Sequence, residues 1–222
     1  MAGDLLEALE VETAPSPRAA VLWMHGLGAD GYDFVDLVPA LGLQTAPVRF
    51  VFPHAPMRPV TINRGMVMRA WYDVRDDVGR RREDESGVRE SQARIEALIA
   101  RETSRGIAAD RVVLAGFSQG GAMALHTGLR HPERLAGLMG LSCFLPLADH
   151  LPGEASAANR ATPIFMAHGT HDPLIPLDRA RQARDTLARL GYRVEWHEYP
   201  MPHSVCDAEV VHIAEWLARI LA

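Results

Sequence analysis

The sequence predicts an α/β protein: one domain over residues 1–222, with a mostly parallel central sheet and helices on both faces. Three observations carry that expectation. Short apolar runs alternate along the chain with longer amphipathic stretches, the βαβα order that builds a parallel sheet. Several of the short runs are nearly continuous Val, Leu, Ile, Met and Phe, as suits strands covered on both faces. The composition, 48% hydrophobic and 23% charged over 222 residues, is that of a globular chain able to bury a sizeable core.

The elements follow in order. Strands are expected at 5–11, 19–24 (Ala-Ala-Val-Leu-Trp-Met) and 48–52 (Val-Arg-Phe-Val-Phe), with a helix at 34–41 between the second and third. Residues 58–72 are apolar without clean helical spacing and read as a loop leaving the core. The mixed-charge run 73–85 reads as a solvated loop. A long helix follows at 87–105, where Val88, Ile95, Leu98 and Ile99 recur at helical spacing among Arg and Glu. The strand 111–115 and the helix 119–130 adjoin closely, and strands 137–141 and 162–167 come next. The helix 178–190, the strand 193–199 and the helix 207–221 complete the chain, the last with Val210, Ile213, Leu217 and Ile220 on one face. There is no repeat, no linker-like shift in composition and no low-complexity segment.

Charge and composition exclude several function classes. The net charge is −5, and all 23 basic residues are Arg. Without Lys there is no Schiff-base lysine and no P-loop lysine. A mildly acidic chain lacks a general electrostatic footprint for nucleic acid. No stretch approaches the apolar length of a membrane span, and the acidic N-terminus lacks the pattern of a secretory leader. The two cysteines, Cys143 and Cys206, suit reduced thiols, and the expectation is a cytoplasmic protein without membrane insertion.

Chemistry concentrates at Gly116-Phe117-Ser118-Gln119-Gly120, a G-x-S-x-G pattern set between the strand Val112-Val113-Leu114-Ala115 and a helix. A strand–turn–helix setting is what a nucleophile elbow needs, with small residues where the strained turn brings helix and strand close. A serine hydroxyl requires a base, and the base an orienting acid. Behind such an elbow the order is Ser, Asp or Glu, then His, each in a loop after a strand. Asp172, in His168-Gly169-Thr170-His171-Asp172-Pro173, and His203, in Met201-Pro202-His203-Ser204, both fall where that order places them. The Gly-rich loop Met24-His25-Gly26-Leu27-Gly28 can offer the backbone N–H of Leu27 to an oxyanion, alongside that of Gln119. His25 reads as shaping that loop rather than transferring protons. Ser142 and Cys143 lack a glycine elbow, and Cys206 reads as a thiol packed against the last helix. His168, His171 and His203 lack metal-ligand spacing, so no metal is expected.

Together these segments, with Phe50-Val51-Phe52-Pro53-His54-Ala55-Pro56 and the stretch from Pro59 to Asp73, resemble the phospholipase/carboxylesterase family of α/β-hydrolases, which includes bacterial carboxylesterases and acyl-protein thioesterases. The resemblance runs from about Val21 to the C-terminus. It implies a serine esterase without cofactor, often a homodimer, with Ser118, Asp172 and His203 as triad and Leu27 and Gln119 as oxyanion donors. It further implies a lid loop at 58–72, with Phe144 and Leu174 flanking the acyl groove. Phe144 stands where some thioesterase members carry Trp.

The expected function is hydrolysis of carboxylic esters with short to medium acyl chains, the substrate being a small ester or acylated molecule. The alternative is an acyl-protein thioesterase or lysophospholipase acting on long chains, buried under an apolar lid of Met66, Met68 and Trp71. A non-catalytic receptor of the same fold is disfavoured by the intact triad. Ser118 at the elbow, rather than Asp, excludes dehalogenase and epoxide-hydrolase chemistry. The chain length leaves no room for a separate helical cap, so the site should be roofed by loops.

Overall fold

The computed structural model describes residues 5–43, 46–77 and 80–222. Its centre is a seven-stranded sheet. In chain order the strands are β1 (Ala8–Glu12), β2 (Ala19–Met24), β3 (Val48–Pro53), then, after two short hairpins, β8 (Val112–Phe117), β9 (Gly137–Leu141), β10 (Ile164–Gly169) and β11 (Val194–Tyr199). In space they run β1-β3-β2-β8-β9-β10-β11; every pairing is parallel except β1 with β3. The chain is an α/β-hydrolase fold.

Both sheet faces are covered, which explains why the strand sequences are so apolar. In β2, Ala20, Leu22 and Met24 point into one core cluster, while Ala19, Val21 and Trp23 point into the other. The first cluster is closed by α1 (Glu85–Ser104), α2 (Gln119–Arg130) and α4 (Leu177–Arg189), through Val88, Ile95, Leu98, Met123, Leu129 and Leu187. The second is closed by α5 (Asp207–Leu221), through Ile213, Trp216 and Leu217, and by Val38 and Leu41. The short α3 (Leu151–Glu154) lies beyond β9. Among the described residues, no helix is long and apolar enough to cross a membrane.

The main elements fall within a few residues of expectation, with three corrections. The segment expected as a helix at 34–41 is a 3-10 helix, Val35–Leu41, because Pro39 inside it cannot donate the hydrogen bond an α-helix needs. The segment 58–72 is no irregular loop: β4 (Met57–Val60) and β5 (Met66–Arg69) pair as an antiparallel hairpin around the 3-10 turn Thr61–Asn63. Its turn closes on Arg64 and Gly65, both at positive φ. The charged run 73–85 also departs from a plain loop. Val74–Asp77 (β6) and Arg80–Glu83 (β7) pair antiparallel, and Asp84 then caps α1 by accepting from the Gly87 N–H at 3.2 Å; residues 78–79 of the run lie outside the described residues.

Candidate active site

Ser118 sits at the junction of β8 and α2 with φ 54° and ψ −119°, a conformation that costs a serine on the order of 1–3 kcal/mol. The surrounding packing imposes it. The Ser118 N–H donates to the Leu141 carbonyl of β9 at 2.8 Å, and the Ser118 carbonyl accepts from the Ala122 N–H at 3.0 Å, so strand and helix hold the turn from both sides. The close approach needs the missing side chain of Gly120, where a Cβ would stand 2.2 Å from the Met24 carbonyl oxygen at the end of β2. The motif glycines therefore reflect a helix pressed onto two strands, with the half-buried serine at the corner.

Asp172 and His203 arrive from the ends of β10 and β11. Thr170 and His171 donate their backbone N–H groups to the carbonyls of Tyr199 and Met201, at 2.8 and 3.1 Å, tying the loop after β10 to the loop after β11. Gly169 permits this approach, since a Cβ there would lie 2.3 Å from the Met201 carbonyl oxygen. His203 Nδ1 then donates to Asp172 Oδ2 at 2.6 Å. The other carboxylate oxygen, Oδ1, accepts from the N–H groups of Leu174 and Ile175 at 2.8 and 2.9 Å. Burial pushes the Asp172 carboxyl up, but the hydrogen bonds from His203, Ile175 and Leu174 outweigh it and hold the group below the usual carboxylate range. The His203 ring packs against Phe117, centroids 4.7 Å apart.

The loop after β2 is fixed by an inner network. His25 Nδ1 donates to the Gly26 carbonyl at 2.7 Å, and its Nε2 accepts from the Ala55 N–H at 3.0 Å. That pattern needs a neutral ring. Burial lowers its pKa to about 4, against a smaller upward pull from the Gly26 carbonyl. Trp71 Nε1 donates to the His25 carbonyl at 2.9 Å. Gln119 clamps the same segment, its Oε1 accepting from the Trp71 N–H at 2.8 Å and its Nε2 donating to the Tyr72 carbonyl at 2.7 Å. The Gly28 N–H donates to the Arg69 carbonyl at 2.9 Å. The Leu27 loop is thereby fastened to the first residue of α2.

These parts meet at a cleft of about 390 Å³ whose lining includes Leu27, Ser118, Gln119, Phe144, Leu174 and His203. Asp172 is buried behind it. Three sequence-selected residues lie outside the lining. Met66 is 64% exposed at the start of β5, and half-buried Met68 accepts a hydrogen bond from Asn63 at its sulfur. Trp71 is fully buried as the strut beneath the Leu27 loop. The hairpin's turn reaches the cleft instead, through Ile62 and Asn63. Sequence reasoning also missed Tyr72, Asp73, Ile175 and Arg179, which line the cleft as well. Asp73 accepts from both the N–H and the hydroxyl of Thr61 at 2.7 Å, locking that turn to the body. Among the described residues, no group of three or more His, Cys, Asp or Glu is placed to hold a metal ion.

Comparison with known proteins places the chain in a family. Residues 7–221 match the sequence model of a family described as phospholipase/carboxylesterase. The chain is 36% identical over 216 residues to acyl-protein thioesterase 1 of Yarrowia lipolytica, covering 95% of each protein. It is 41% identical over 215 residues to acyl-protein thioesterase 1 of Neurospora crassa, covering 91% of this chain and 87% of that one. The crystal structure of Arabidopsis thaliana SOBER1 superposes with a TM-score of 0.85 at 32% identity, covering 92% of this chain and 100% of the other. That of Zea mays acyl-protein thioesterase 2 gives 0.82 at 27% identity, covering 97% and 99%.

Proposed function

The chain belongs to the phospholipase/carboxylesterase family of α/β-hydrolases, and on that premise we propose that it is a serine hydrolase of acyl thioesters and carboxylic esters, acting through an acyl-enzyme on Ser118. The observation that carries the reading is the convergence of Ser118, at its strained corner, and His203, hydrogen-bonded to Asp172 at 2.6 Å, on one cleft.

His203 takes the Ser118 proton as the serine oxygen attacks the acyl carbonyl. Asp172 accepts a hydrogen bond from the Nδ1–H, so Nε2 is left as the base, and its ionised carboxylate stabilises the imidazolium that forms. The backbone N–H groups of Leu27 and Gln119 bind the oxyanion, where each donor contributes about 3–4 kcal/mol in comparable sites. His203 then protonates the departing thiolate or alkoxide, and in the second half activates the water that releases the acid.

The relatives named acyl-protein thioesterase 1 favour the thioester reading over a plain carboxylesterase, so the substrate is proposed to be an acyl group carried by a protein thiol. A cytoplasmic location, expected from the two reduced cysteines, and a homodimer, carried from the family resemblance, belong to the same proposal. The test is Ser118→Ala, measured on an S-acyl cysteine peptide and the matched ester. Loss of at least about 10³-fold in kcat/KM on both is expected. Retention of more than a few per cent would remove Ser118 from the role, and cleavage of the ester alone by the wild type would return the reading to carboxylesterase.

A further inference from the structure

The cleft holding Ser118 ends at a partition. The Arg179 guanidinium carbon lies 4.1 Å from the centroid of the Phe144 ring, and both residues also line a second cavity of about 670 Å³. Phe144 comes from the segment after β9. Arg179 comes from the first turn of α4, where its N–H donates to the Pro176 carbonyl at 2.9 Å. On the Ser118 side the partition adjoins Leu174 and Ile175. On the far side lie Leu145, Leu147 and Leu190, with polar Asp149, His150 and Gln182 around them.

We propose that Arg179, stacked on Phe144, is the stop that ends the acyl-binding wall, making the enzyme selective for acyl groups short enough to terminate before the guanidinium. The inference deepens the function proposed above and rests on it, since it requires that Ser118 is acylated and that the Phe144–Leu174 wall takes the chain. Each methylene laid against that apolar wall adds to binding. A methylene driven against the guanidinium gains no such term, because it strips water from a charge and offers no hydrogen bond in return. The ring face attracts the cation, whose guanidinium carbon lies 4.1 Å from the ring centroid, so the stop is held by contact as well as by charge. Past it, Leu145, Leu147 and Leu190 again offer apolar contacts, set among the polar Asp149, His150 and Gln182. Removing the Arg179 side chain therefore joins two cavities into one longer tract.

The experiment measures kcat/KM for butanoyl, octanoyl and palmitoyl thioesters. The wild type should rise from butanoyl to octanoyl and fall at palmitoyl. Arg179→Ala should raise the palmitoyl-to-octanoyl ratio by about tenfold or more, the scale on which pocket contacts discriminate neighbouring substrates. Arg179→Met, which keeps most of the stem but not the charge, should move the ratio the same way by less. Adding Gln182→Phe to Arg179→Ala, which puts a ring into the second cavity from the exposed side of α4, should return the ratio toward wild type. An unchanged ratio in both folded Arg179 variants overturns the stop. A raised ratio that Gln182→Phe does not reverse overturns the second cavity as the extension. A wild type that cleaves no member of the series and is not labelled by a fluorophosphonate fails at the hydrolase reading itself, which separates that failure from the failure of the stop.

Discussion

Asp172 gives one oxygen to two backbone N–H groups and the other to His203, so its position and its charge are fixed by different bonds. Asp172→Asn should keep the backbone bonds but present an amide to Nδ1 and favour the wrong tautomer. The expected result is a fall in kcat of about 10⁴-fold with KM little changed; a loss confined to KM would mean that Asp172 shapes the cleft rather than the base. The folded-state pKa is depressed, so the wild type keeps this carboxylate ionised until pH drops below the usual carboxylate range, and the stability it contributes is lost only there. Asp172, His203, Leu27 and Gln119 were legible as candidates because the pattern around Ser118 expects acid, base and oxyanion loop at particular strand ends. Met66, Met68 and Trp71 were misjudged for a physical reason: an apolar side chain looks the same in sequence whether it lines a cleft, faces out from a hairpin or fills a strut beneath a loop. Arg179 carried the opposite disguise, since an arginine in an amphipathic helix reads as solvated until its ring partner is seen.

At the scale of elements, the Leu27 loop depends on a segment from another part of the chain. Trp71 donates to the His25 carbonyl and is itself gripped by Gln119, so the hairpin's exit strand, the loop after β2 and the start of α2 form one rigid joint. Trp71→Phe keeps the buried ring and deletes only the indole N–H. Full removal of an oxyanion donor costs about 10²–10³-fold in rate, so a loop merely loosened should lose about tenfold in kcat, with KM nearly constant. A matching loss of thermal stability with kcat unchanged would assign Trp71 to packing alone. The five inner strands of the sheet were legible because burial on both faces leaves continuous apolar runs. The β4–β5 hairpin was not: Pro59 interrupts its first strand, Met57, Val67 and Met66 are exposed on both its faces, and the period-two signal of a half-buried strand is absent.

Across the whole molecule, two sets of buried groups should pull stability in opposite directions as pH changes. Burial lowers His25 to about 4 and His126 to about 3. Their folded pKa values lie below the unfolded 6.5, so the unfolded chain binds more protons and stability falls as pH drops through that window. Glu209 acts the other way. It is buried in the first turn of α5, and burial raises its carboxyl from 4.5 to about 8, with a smaller downward pull from the Cys206 backbone. Between those values the folded chain holds a proton that the unfolded chain has released, so stability should decline as pH rises from about 5 to 8 and level off above. Glu209→Gln keeps the shape and removes the titration. Denaturation midpoints of variant and wild type should therefore nearly coincide at pH 5 and separate steadily toward pH 8 in favour of the variant, by an amount on the order of a few kcal/mol. The histidine contribution is common to both proteins and cancels in the difference. A difference that stays flat from pH 5 to 8 would mean that Glu209 titrates as an ordinary carboxylate and that α5 opens locally to hydrate it, which amide exchange in the first turn of that helix would reveal.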